Sequence, residues 1–294
     1  MKNVLLFGLV ALILLKCQPP TEVALDAQYM ESFEDAQQDL MQRRTNYLKL
    51  AGLLPFEAEK HILGTSDSAD WVIDATGFPP IIGTFQITPE GIIFTGNPDI
   101  RITAANDSLI QTVNLTLDKY GNSLKLTSGQ LSWMIITRGV DKLYLRVWDE
   151  NNSAVQNFTT PERYPLNGQM IFDGHFQYYP EPKSAVVDSK LGFDQPTVFI
   201  GSFSFNHEDQ THTLEVGQNG FTMIADPTNG HESYGGGRYL YLDLPKQDSI
   251  VRLDLNLLYN PPCTFSKYTT CLIPPSQNKL PFEILAGETF EDHH

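Results

Sequence analysis

Cysteine, basic residues and long apolar runs are all scarce in this chain, and each shortage excludes something. Three cysteines among 294 residues are too few for a disulfide-stapled miniature fold. Lys and Arg number 20 against 35 Asp and Glu, a formal charge of −15 at pH 7. A surface so acidic, with no basic cluster, repels phosphate backbones, so nucleic acid is not an expected partner. The apolar run Val4 to Leu15 falls short of the about 20 residues of a membrane-spanning helix. Neither the GxSxG elbow of a serine hydrolase nor the HExxH helix of a zinc protease is present. No internal repeat or low-complexity tract stands out. What remains, 41% hydrophobic and 19% charged, is an ordinary globular balance with room for two modest domains.

The N-terminus reads as an address. Lys2 precedes the apolar segment, which gives way to Lys16, Cys17, Gln18, Pro19 and Pro20, the pattern of an export signal. Cys17 at the end of the run points to lipoprotein processing, with cleavage before it and a lipid on the new N-terminal cysteine; Lys16 stands where such signals usually carry a small residue. Residues 1–17 are therefore the signal segment, and the membrane is expected as a partner through the lipid. Without Lys2 and Lys16 the chain has 18 basic against 35 acidic residues, or −17. Cys263 and Cys271 are then left as a pair. In an oxidising compartment they can form a disulfide; free thiols and a metal site are the alternatives, and a metal site lacks further His or Cys nearby.

Residues 18–60 are read as a tether and a helix. From Asp26 to Leu50, Leu25, Tyr29, Phe33, Leu40 and Tyr47 fall near one stripe, and Gly52 and Pro55 end it. After about Asp70 β-branched and aromatic residues come in short runs separated by turn signals. Strands are predicted at 81–88, 91–95, 100–104, 112–117, 123–127, 131–138 and 143–148, a β-sandwich-like unit over 61–150. A looser stretch, 149–168, leads to strands at 170–179, 197–206, 211–216, 221–225, 238–244, 250–255 and 281–285, a β-barrel-like unit over 151–294. Phe199, Phe203 and Phe205 alternate with smaller residues on one of them, and His207-Glu208-Asp209-Gln210 should turn it into a hairpin. The predicted class is all-β: sandwich-like, then barrel-like, with one N-terminal helix.

Special chemistry is densest between Asp226 and Gly287. Tyr234-Gly235-Gly236-Gly237-Arg238-Tyr239 is followed by Asn256-Leu257-Leu258-Tyr259-Asn260-Pro261-Pro262-Cys263, then Cys271 and Pro274-Pro275-Ser276-Gln277-Asn278-Lys279-Leu280-Pro281. With residues 146–167, these strings resemble the signature of an uncharacterised bacterial and archaeal family, number 1684 among the domains of unknown function. The resemblance covers about Leu143 to Glu288. Ser276, Gln277 and Lys279 depart from the family's usual Pro-Glu-Asn-Arg. The resemblance implies a fold and no activity.

Read as residues, the three glycines suit a tight turn into the strand at Arg238; a phosphate cradle would need a helix after them. Arg238 can clamp a carboxylate or pair with Asp226, Asp243 or Asp254 inside the fold. The Asn-Pro-Pro loop is either a structural corner or the rim of a pocket contacted by Tyr234, Arg238, Tyr259, Asn260 and Asn278. His231 near Asp226 and Arg238 offers an acid–base pair without a nucleophile. The function expected first is a non-catalytic envelope module binding a small molecule or another envelope protein. A hydrolase using Asp226, His231 and Arg238, and a purely structural envelope protein, are the alternatives. No cofactor and no metal is called for.

Overall fold

A computed structural model describes residues 24–189, 192 and 194–290. Cys17, the rest of the predicted export segment, His293 and His294 lie outside the described residues. Helix α1 spans Ala27–Leu48. Asp26 caps it, its carboxylate accepting from the Tyr29 amide at 2.9 Å, which satisfies one of the first-turn donors that no helical carbonyl reaches. The fully buried stripe is Leu40, Arg44 and Leu48, one every four residues; Tyr29, Phe33 and Tyr47 are only partly covered. No helix among the described residues is long and apolar enough to cross a membrane.

Ten strands follow: β1 (Leu50–Pro55), β2 (Lys60–Gly64), β3 (Trp71–Val72), β4 (Ile81–Thr88), β5 (Gly91–Gly96), β6 (Thr103–Ala104), β7 (Thr112–Leu115), β8 (Leu126–Ser128), β9 (Leu131–Arg138) and β10 (Lys142–Asp149). They form two five-stranded sheets, β1-β10-β9-β8-β6 and β3-β2-β4-β5-β7, which share one apolar core. Leu63, Phe85 and Phe94 from one sheet meet Leu126, Trp133 and Leu145 from the other, all with no exposed surface. Ring contacts run through it: Phe85 lies 4.8 Å from Phe94 and Phe94 5.8 Å from Trp133, the offset geometry aromatic pairs prefer.

The first unit therefore begins at Leu50, earlier than the predicted 61. Gly52 and Pro55 were read as breakers, yet both sit in β1. Gly52 occupies a register shift against β10; Pro55 is the last residue of a strand at the sheet's edge, where a missing donor costs no ladder bond.

After a one-turn helix, α2 (Ser153–Gln156), six more strands appear: β11 (Ile171–Val187), β12 (Gln195–His207), β13 (Gln210–Gly217), β14 (Phe221–Ile224), β15 (Arg238–Tyr241) and β16 (Ser249–Asp254). Sheet order is β13-β12-β11-β16, with β14-β15 as a separate ribbon. The all-β class holds; the second unit is open sheets, and among the described residues no barrel closes. Phe199, Phe203 and Phe205 are buried while Ile200, Ser202 and Ser204 are partly exposed, the alternation of a strand with one covered face. Glu208 and Asp209 take φ of 47° and 61°, the two left-handed residues of a tight hairpin.

The predicted strand at 281–285 does not pair. Its main chain is held by side chains instead: the Ile284 amide donates to Asp226 Oδ2 at 2.9 Å, and Arg238 donates to the carbonyls of Ile284 and Ala286 at 3.0 and 2.6 Å. Helix α1 precedes the first unit in sequence but packs on the second, where Leu40 joins Val187, Phe199, Met223, Tyr239 and Tyr259.

Candidate functional site

Strand β15 carries Arg238 into the interior, where it has no exposed surface. Gly237 makes the entry possible: it takes φ of +80°, and a Cβ there would stand 2.5 Å from Pro274 Cγ and 2.8 Å from the Ile224 carbonyl oxygen. No helix follows these glycines, so they are the turn into a strand. Arg238 Nη2 pairs with Asp226 Oδ1 at 3.1 Å, and Nη1 also donates to the Glu288 carbonyl at 3.2 Å. Asp226 Oδ2 accepts from the Thr228 amide and hydroxyl at 3.1 and 2.7 Å. Burial pulls the Arg238 pKa down from its ordinary value, and the Asp226 charge opposes that pull.

Glu288 is the second centre and is fully buried. Its Oε2 accepts from Arg44 of α1 at 2.5 Å and from the Asn260 amide at 2.7 Å; its Oε1 accepts from Arg163 at 3.2 Å. Arg163 reaches the Asn256 carbonyl at 2.6 Å and Gln37 Oε1 at 2.9 Å. One carboxylate thus ties the helix, the 157–167 segment and the Asn-Pro-Pro loop together, the charge-assisted bonding that makes a buried ion tolerable.

The remaining signature amides bind main chain. Asn278, also without exposed surface, accepts from the Glu215 amide at 2.7 Å and donates to the Glu215 and Met223 carbonyls at 2.9 and 2.8 Å. Asn256 bonds both main-chain groups of Asn167 at 2.9 and 3.0 Å. Cys263 and Cys271 form a disulfide with Cα atoms 5.9 Å apart.

Of the five residues expected at a pocket, Arg238 and Asn278 spend their polar atoms inside the fold. Tyr259 lies under α1, 8% exposed, with burial pushing its hydroxyl pKa well up. Tyr234 sits against Phe290, ring centroids 5.0 Å apart, its hydroxyl 3.5 Å from Cys263 Sγ. Asn260 alone of the five reaches an open cleft of about 650 Å³, where Phe158, Thr159, Thr160, Glu162, Thr264, Phe265 and Thr289 also contribute. Asn260 Nδ2 donates to the Thr289 carbonyl at 2.8 Å, while its Oδ1 is buried with no hydrogen-bond partner. Beneath the cleft the Arg44 guanidinium lies 4.8 Å from the Phe265 ring centroid and 5.9 Å from that of Phe158.

The acid–base alternative finds no geometry. His231 is exposed, whereas Asp226 is buried with both oxygens taken. Among the described residues no three His, Cys, Asp or Glu side chains converge as metal ligands. Sequence reading missed Arg44, Arg163, Glu288 and the Phe158-Thr159-Thr160 wall. Arg163 and that wall lie inside the 146–167 string that carries the resemblance, the one signal that could have found them.

A two-unit all-β protein with a buried ionic seam and an open cleft is the class these observations define. The family model described as "Protein of unknown function (DUF1684)" matches residues 156–289, the same family that the glycine and Asn-Pro-Pro motifs resemble. No curated protein matches the chain. A solved structure of the uncharacterized protein from gene locus rrnAC0354 of Haloarcula marismortui, determined by solution NMR, is 23% identical, covers 47% of this chain and 80% of its own, and superposes with a TM-score of 0.39.

Proposed function

We propose that this protein is an exported, lipid-anchored binding module of the cell envelope, and that its ligand occupies the cleft floored by Asn260. The observation that carries the reading is the Asn260 Oδ1 acceptor, buried without a partner in a residue that lines the cleft. An unpaired buried acceptor costs about 1–3 kcal/mol, a cost a ligand's hydroxyl or amino group removes. Thr264 and Thr289 supply further hydroxyls, Phe158 and Phe265 an apolar wall, and Glu162 a carboxylate. That set suits a neutral or cationic small molecule with polar donors on one face and an apolar other face, and disfavours anions. Anchoring rests on Cys17 after the apolar segment.

Native mass spectrometry of the full chain, purified without stripping, is expected to show a bound small molecule. Thr159→Trp, which fills the cleft from an exposed position, should release it without moving the urea midpoint. A ligand retained by Thr159→Trp, or an empty protein that no sugar, polyol or amine library stabilises, would overturn the reading. Cys17→Ser should move the protein from the membrane to the soluble fraction; an unchanged distribution removes the anchor.

A further inference from the structure

The first unit holds a second cleft whose chemistry is the opposite of the one floored by Asn260. It measures about 350 Å³ and is lined by Arg138, Arg146 and Trp148 of the β1-β10-β9 sheet, Tyr47 of α1, and Thr269 and Thr270 of the disulfide loop. Arg146 and Trp148 alternate along β10 with the buried Leu145 and Val147, so they project from the face opposite the sandwich core. That face is roofed by the loop that Cys263 and Cys271 close.

Two arginines converge here in a chain of net charge −15, yet neither has an ion pair among the described residues. The carboxylates that pair with arginine go to Arg44, Arg163, Arg238 and Arg252. Arg138 donates to the carbonyl of its neighbour Thr137 at 2.7 Å. Arg146 Nε is buried and bonds nothing. Lys125 adds a third cation, its Nζ 4.3 Å from the Trp148 ring centroid. Burial and the Arg138 charge together push the Arg146 pKa down to about 10, so the guanidinium stays charged at neutral pH while lacking a counter-ion. Buried like charges left together are costly unless an opposite charge joins them.

We propose that this cleft binds a small oxyanion, a phosphate, sulfate or carboxylate group, gripped by Arg138 and Arg146 with the Thr269 and Thr270 hydroxyls as neutral donors. Guanidinium forks match two oxygens of such groups at once, and flanking hydroxyls add donors without adding charge. The site is independent of the Asn260 cleft, and each can fail without the other.

Full-length protein titrated with inorganic phosphate at low ionic strength, followed by calorimetry and by Trp148 emission, is expected to saturate. Arg138→Gln and Arg146→Gln should each weaken binding about tenfold or more, the loss of one charge-assisted hydrogen bond. Arg252→Gln, at an exposed pair with Asp173, should bind as the wild type does. Arg146→Lys keeps the charge and loses the fork, so it should weaken binding while holding the urea midpoint; it carries the test if Arg146→Gln misfolds. Thr159→Trp should leave phosphate binding intact. Competition by acetate would assign carboxylates as sufficient, and its absence would assign a phosphate or sulfate; both support the site. No saturable phosphate signal, or equal affinity in the wild type and the arginine variants, would overturn it.

Discussion

The two units solve the same problem, covering β-sheet faces, by different means. In the first, two sheets close on Phe85, Phe94, Trp133 and their aliphatic neighbours, and the arginines stay on the outside face. In the second, an open sheet and a two-stranded ribbon leave a side that α1 and the unpaired segment after β16 cover, and charged groups are drawn inside: Arg44, Arg238, Asp226 and Glu288 are all buried. An apolar core accepts many partners of similar volume. A network in which each carboxylate oxygen has a designated partner accepts few. The second unit's precision therefore lies in its polar residues, which is where the family signature lies too.

That contrast can be broken or sharpened by substitution. The largest effect is expected from Glu288→Ala, which leaves the buried Arg44 and the partly buried Arg163 without their counter-charge; a loss of about 3–5 kcal/mol should appear in urea unfolding and loosen α1. Leu145→Ala, in the first core, should cost about 2–5 kcal/mol and leave α1 docked. Should hydrogen exchange show both substitutions loosening both units equally, the two-unit contrast fails. Cys271→Ser opens the loop over the Arg146 cleft and should cost about 2–3 kcal/mol by loop entropy, seen as a lower melting temperature without reductant and no difference with it.

A subtler test is pH. Burial raises the Asp254 carboxyl above its ordinary 3.8, although Asn256 and Tyr29 donate to it. The folded chain then prefers the protonated form, so this group's contribution is complete below the unfolded value and is lost as pH rises through the raised folded one. Asp254→Asn should flatten that limb of the stability profile and gain on the wild type at neutral pH; a parallel profile would refute the shift. Smallest is Arg252→Ala, whose partner Asp173 is equally exposed: less than about 1 kcal/mol is expected, within the error of most urea curves.

How much was legible follows the same division. Strand β9 was predicted residue for residue and α1 within two, because alternation and a four-residue stripe announce themselves locally. β1, β2 and β3 were missed: β1 carries Gly52 and Pro55, β3 is two residues long, and partners such as Tyr144 for Pro55 lie far along the chain. The 281–285 segment looked like a strand because it is extended, but Arg238 and Asp226 replace the ladder. Among the site residues, Asn260 was named from its loop. Glu288 and Arg44 carried no local signal, since one sits at a helix position that reads as solvent-facing and the other in the tail.

Arg44 and Glu288 stand 244 residues apart. The arginine precedes the first unit and the glutamate follows it, while Leu50 to Asp149 between them contains every strand that sandwich needs. The middle can therefore close on its own sheets, whereas α1 docks only once both flanking segments are in place. Loss of residues 281–290 would leave a sound middle and an undocked helix, so damage late in the sequence should be read out in an element that stands before the first strand.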